Sequence, residues 1–213
     1  MKTDRLIELL AHDAAPVDPR SPQRRLLWVA ALSIGAGFGL MLALLGLNPR
    51  LAEYTGMPMF WVKFGFGVLA AAAATVALQR LARPGVRLGS ARWWTLAPYA
   101  TLGLLGAWVA WSAAPGERLG LWLLPHWAVC PLLIATLGLP ALVGGLWLMR
   151  TMAPTRLALA GAVVGLWAGG IGTALYALYC PILSAPYLAT WYALGTLLPA
   201  LAGALLGRRL LRW

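Results

Sequence analysis

Two nearly identical tetrapeptides, CPLL at 130 and CPIL at 180, hold the only cysteines of the chain, Cys130 and Cys180. Three chemistries are open to such a pair. Each cysteine can be a small buried apolar residue, the two can form a disulfide in an oxidising compartment, or their thiolates can hold a soft metal ion. His126 precedes Cys130 by four residues, one helical turn away on the same face. This makes His126, Cys130 and Cys180 the candidate metal set, suited to copper(I), zinc or a heavier thiophilic ion. Met57 and Met59 could add thioethers, and no other cofactor is implied. The proline after each cysteine removes a backbone donor and disfavours helical geometry in the residue before it. Cys130 is therefore expected at a kink and Cys180 at a helix end. The chain has no CxxC, HExxH, GxSxG or phosphate-cradling glycine loop. A thiol oxidoreductase needs a partner cysteine pair that this chain lacks, so no enzyme is expected.

The elements that position these thiols belong to a bilayer. Hydrophobic residues make up 61% of the 213 positions and charged residues only 11%, with mean hydropathy +0.76, well beyond soluble composition. The net charge of +11 comes from basic residues that punctuate long apolar runs, which orients spans rather than building a nucleic-acid face. The fold class read here is all-α, a polytopic membrane protein with six spans near 26–47, 60–79, 93–112, 122–148, 156–179 and 187–206. The first 25 residues are polar and the first apolar run is long enough to span, so an uncleaved anchor is expected. Of the 17 Lys and Arg, all but Arg50, Lys63 and Arg118 fall on one side of those spans, so both termini are placed in the cytoplasm. Trp28, Trp61, Trp93, Trp94, Trp111, Trp122, Trp147, Trp191 and Tyr187 fall near span ends, where amphipathic rings prefer to sit, and Trp213 closes the chain beside a basic cluster.

In that topology span four runs inward and span five back out, which puts Cys130 and Cys180 at similar heights on the outer rim. The short RTMAPT link makes the two spans antiparallel neighbours. A bridge still needs Cα atoms within about 7 Å. No Asp or Glu lies in any span, which argues against an ion-coupled carrier and leaves a small transporter or channel as the alternative reading. Lys63 is close enough to the outer end to snorkel. Gly35 and Gly39, Gly161, Gly165 and Gly169, and Gly203 and Gly207 recur every four residues, as close helix packing in lipid requires. The GLWAGGIG run is read the same way rather than as a substrate path.

Residues 1–25 form a separate unit ahead of the membrane domain at 26–213. Thr3 can cap a short cytoplasmic helix with Leu6, Ile7, Leu9 and Leu10 on one side and Asp4, Arg5, Glu8 and His12 on the other. The prolines of APVDPRSP then end it and supply an extended tether. The apolar side can lie on the bilayer surface or in a groove of a soluble partner. The four acids Asp4, Glu8, Asp13 and Asp18 favour the partner.

The head KTDRLIELLAHD, six spans, a CP in span four, a second CP after YALY, then WYALG and the closing LGRRLLRW together resemble the NrsF-type family of integral-membrane anti-sigma factors, over essentially the whole chain. The resemblance implies a protein of the bacterial inner membrane whose partners are the lipid bilayer and a sigma-F-type extracytoplasmic-function (ECF) sigma factor, with no direct nucleic-acid contact. It makes Cys130 and Cys180 the sensor of a redox or heavy-metal signal. It also makes residues 3–13 the sigma-contacting end: Thr3, Asp4, Arg5, Leu6, Ile7, Glu8, Leu9, Leu10, His12 and Asp13. Relatives carry histidine before the second cysteine and an acid just after the CP, where this chain has Tyr179 and Ile182. The departure weakens the metal set and leaves thiol oxidation open.

Overall fold

A computed structural model describes residues 21–83 and 85–212, together with Thr3, Arg5 and Ile7. Among the described residues the chain is helical, with no strand. In chain order the helices of the body are α1 (Ser21–Leu44), the short α2 (Leu51–Thr55), α3 (Pro58–Leu81), α4 (Ala91–Ser112), the short α5 (Arg118–Trp122), α6 (Cys130–Arg150), α7 (Leu157–Ala177) and α8 (Ala185–Leu210). Pro58, Pro131 and Pro186 sit in first turns, where a missing N–H is harmless. Helix α1 stops at the left-handed Gly46 (φ 75°), whose N–H returns to the Met41 carbonyl at 3.0 Å.

Five helices, α1, α3, α6, α7 and α8, are long and apolar enough to cross a membrane. Helix α4 has the length, 22 residues or about 33 Å. It is not among the five, because Arg92, Trp93, Trp94, Pro98 and Tyr99 dilute its apolar content. Leu32, Leu104 and Val143 are each about two-thirds exposed or more, an outward apolar surface that suits lipid rather than water. Trp28, Trp61, Trp93, Trp94, Trp111 and Trp147 are exposed as well, as interfacial rings should be. Tyr187 departs from that expectation: it is fully buried in the core.

Helix α7 is the centre of the bundle, packed against α3, α6 and α8. Its glycines set the register, because each lets a neighbouring backbone come close. A Cβ on Gly172 would strike the Ile134 carbonyl, one on Gly138 the Ala168 carbonyl, and one on Gly145 the Val164 side chain. Numbers rise along α7 as they fall along α6, so the two are antiparallel, as the short link between them implied. In the same way Gly161 opposes Gly203, Gly165 opposes Pro199 and Gly169 opposes Thr196 across α7 and α8. In α1 the packing glycine is Gly37. Gly35 and Gly39 have no atom within 4 Å of an added Cβ, so the spacing that marked them is correct in period but lies on the outer face.

Span four begins eight residues later than composition suggests. Pro125 and a left-handed His126 (φ 67°) break the apolar run, and the helix starts at Cys130 with Pro131 in its first turn. Cys130 therefore opens a helix instead of kinking one, and His126 lies ahead of that helix instead of one turn along its face. Pro98, Pro140 and Pro199 remain inside continuous helices.

Candidate functional site

The two CP motifs occupy helix ends at the same end of the bundle. Cys130 is the first residue of α6, its N–H bonded to the His126 carbonyl at 2.9 Å. Cys180 follows the last turn of α7, its N–H bonded to the Tyr176 carbonyl at 3.0 Å, and Pro181 then blocks further helix. Since α6 and α7 are antiparallel, the start of one meets the end of the other. Both thiols are free and buried, 0% and 3% exposed. Each lies within electrostatic range of the other and of Lys63.

Three tyrosines complete the chamber. The Tyr176 and Tyr187 hydroxyls neighbour Cys130, and that of Tyr192 neighbours Cys180; the Tyr176 and Tyr192 rings stand 5.7 Å apart. The hydroxyls of Tyr187 and Tyr192 reach no hydrogen-bond partner, although both are fully buried. Tyr192 ends a π-helical turn, Leu188–Tyr192, a local widening often found at functional sites.

Lys63 is the surprise of the site. The expectation that it snorkels is overturned: it is 1% exposed, and its Nζ donates to the Cys180 carbonyl at 2.6 Å and toward that of Ile182 at 3.5 Å. The sequence carried a usable signal. Phe60, Lys63, Gly67, Ala70, Ala74 and Ala77 share the buried stripe of α3, so the lysine is in phase with the small residues that mark a packed face. Asn48, beyond α1, adds a second strap, donating from Nδ2 to the Tyr179 carbonyl at 3.1 Å. Further on, Ser184 Oγ donates to the Leu121 carbonyl at 2.9 Å and Trp191 Nε1 to that of Trp122 at 2.8 Å. The segment from Tyr179 to Ser184 is thus held by two outside side chains, Lys63 and Asn48, and by its own Ser184 bonded to the Leu121 backbone.

A cleft lined by Asn48, Arg50, His126, Tyr176, Tyr179 and Cys180 leads toward the second thiol. It brings the exposed His126 to the same opening as Cys180. Among the described residues, however, no three His, Cys, Asp or Glu side chains gather as a metal set. Met57 is exposed and Met59 packs on the core. The donors that do converge are two sulfurs and phenol oxygens, and their available chemistry is that of a thiol pair.

Of the head residues singled out above, Thr3, Arg5 and Ile7 are helical and exposed. Asp4, Leu6, Glu8, Leu9, Leu10, His12 and Asp13 lie outside the described residues, as does Trp213. At the bundle end where Ser21 enters, Leu26, Leu78, Leu148, Met149, Met152 and Trp167 line a groove of about 260 Å³. Nothing in the apolar periodicity announces this groove, because its walls come from four different helices.

Comparison with known proteins agrees with the motifs. Residues 10–213 match the family model described as "Negative regulator of sigma F". The chain is 42% identical to a "Probable anti-sigma-F factor NrsF" of Azospira oryzae and 41% identical to an "Anti-sigma-F factor NrsF" of Caulobacter vibrioides, in each case over the whole of both chains. No solved structure matches it. On the strength of the full-length family match and these two relatives, the chain belongs to the NrsF family, the negative regulators of sigma F.

Proposed function

We propose that this chain is a membrane-bound, non-enzymatic anti-sigma factor. It sits in the bacterial inner membrane as six spans, α4 included, with both termini in the cytoplasm. Residues 3–13 hold an ECF sigma factor of the sigma-F type away from RNA polymerase. Cys130 and Cys180 face the periplasm and are where a redox or thiophilic-metal stimulus acts. The observation that carries this reading is the full-length likeness to relatives described as anti-sigma-F factors. The geometry supports it from a second direction: the two buried thiols lie within electrostatic range of each other at one end of the bundle, and the chain enters the body at Ser21 at the other.

The chemistry at the pair is balanced with an external oxidant. Two thiols give up two protons and two electrons, the oxidant is reduced by the same two electrons, and one S–S bond forms. A soft ion would take the same two sulfurs, without the imidazole of His126. Either event draws together the start of α6 and the segment after α7, and so strains the straps from Lys63 and Asn48. Coupling requires two arrangements of the bundle that both ends bias.

Affinity capture from solubilised membranes tests the assignment. The full-length chain should retain a sigma factor, and a variant lacking residues 2–13 should insert normally and lose it. Capture of the sigma factor by the truncated chain contradicts the role of the head.

A further inference from the structure

The groove at the head end has no occupant from the helices that form it. Its volume of about 260 Å³ exceeds the roughly 150 Å³ of an apolar cavity that already accepts a benzene-sized guest. Gln23, Gln79 and Arg83 give its walls a polar share, and the remainder is largely apolar: Leu26, Leu78, Leu148, Met149 and Trp167 are buried residues and Met152 is half-buried. Two of them are methionines, which adapt their shape to a guest. A space of this kind forfeits dispersion contacts until something fills it.

The rim is cationic. Arg83 lines the groove, Arg24, Arg25 and Arg80 stand on the same helix ends, and none of the long helices contains an acid. The chain has six acids in all: Glu53 lies in the short helix α2, Glu117 precedes the short helix α5, and the other four are Asp4, Glu8, Asp13 and Asp18 of the head. Between residues 3 and 13 three acids stand against one arginine. In the described part of that segment Ile7, on its apolar side, is 59% exposed.

We propose that this groove is the resting dock of the chain's own head, taking the leucine side of residues 6–10 while the head acids face Arg83 and its neighbours. The span from Leu10 to Ser21 allows it. Eleven residues reach up to about 36–40 Å, and the groove is lined by Pro22 and Gln23, at the point where the tether arrives. A tether of this length gives an effective concentration in the millimolar range, so even weak docking is populated. The docked head is unavailable to a soluble partner, which lowers the apparent affinity of that partner by the undocked fraction. This last step rests on the reading of the head as the sigma-binding segment. The docking itself does not.

Disulfide crosslinking of the full chain in bilayers tests the dock. With Cys130 and Cys180 replaced by serine, Leu9→Cys paired with Met152→Cys should crosslink within one chain several-fold more than Leu9→Cys paired with Leu104→Cys on the outer face of α4. A yield no higher than that control overturns the proposal, including the case where a co-purified lipid chain fills the groove. Ala82→Trp, which fills the groove from α3, should then abolish preferential crosslinking of Leu9→Cys to Met152→Cys and tighten sigma-factor binding by about three- to tenfold. Unchanged crosslinking in that variant overturns the dock. A crosslink lost without any sigma binding leaves the dock standing and removes the anti-sigma role of the head.

Discussion

The two ends of the bundle differ in what is added to the close glycine packing that runs along α7. At the cysteine end, segments remote in sequence are tied by side-chain hydrogen bonds: Lys63 to Cys180, Asn48 to Tyr179, Ser184 to Leu121 and Trp191 to Trp122. At the head end the helices are pressed backbone to backbone through Gly161, Gly165, Gly203 and Gly207, and a groove is left open beside them. Directional bonds can be remade in a second arrangement at modest cost, whereas a glycine contact is either intact or lost. The bundle is therefore suited to rearranging at the thiols while α7 and α8 move as one body below them.

The contrast can be broken most severely at the glycines. Gly165→Leu drives a side chain into the Pro199 carbonyl and Ala200 backbone, which cannot yield as a side chain can. A loss of about 3 kcal/mol or more is expected in equilibrium unfolding in detergent. Gly35→Leu, with open space around it, should change stability by no more than about 0.5 kcal/mol. Equal effects at both sites would mean that the packing of α7 on α8 does not carry the head end.

A smaller effect is expected from Lys63→Met. The substitution keeps the bulk but leaves the buried Cys180 carbonyl, and the half-buried one of Ile182, without their donor, at a cost of about 1–3 kcal/mol. The loosened segment should label several-fold faster at Cys180 with a membrane-permeant maleimide, with Cys130 replaced by serine. Labelling at the parental rate would show that the lysine does not hold the segment. Asn48→Ala removes one half-buried bond, so about 1 kcal/mol is the expected loss, and a slight gain in Cys180 labelling sharpens the ranking of the two straps.

Much of the bundle could be read in the chain because lipid leaves few alternatives. Apolar length found the five long apolar helices, with ends displaced by up to eight residues, and the four-residue glycine period found the faces of α7 and α8. The common height of Cys130 and Cys180 followed from counting those spans. Three of the errors share one cause: composition says nothing about direction around a helix. Gly35 and Gly39 have the right spacing on the wrong face, Tyr187 lies near a span end but points into the core, and Lys63 is near an end yet turned inward. The start of α6 was obscured because residues 122–129 are apolar enough to span, while Pro125 and the left-handed His126 forbid a helix there. The tyrosine chamber and the groove were out of reach, since both are assembled from helices far apart in sequence.

The most direct test of the coupling is sigma-factor release from the full chain in proteoliposomes after addition of a thiol oxidant on the side that faces the cysteines. Release from the parental protein together with retention by both Cys130→Ser and Cys180→Ser is the predicted result. Release from either single variant, or retention by the parental protein with its disulfide formed, contradicts a paired thiol switch that governs the head.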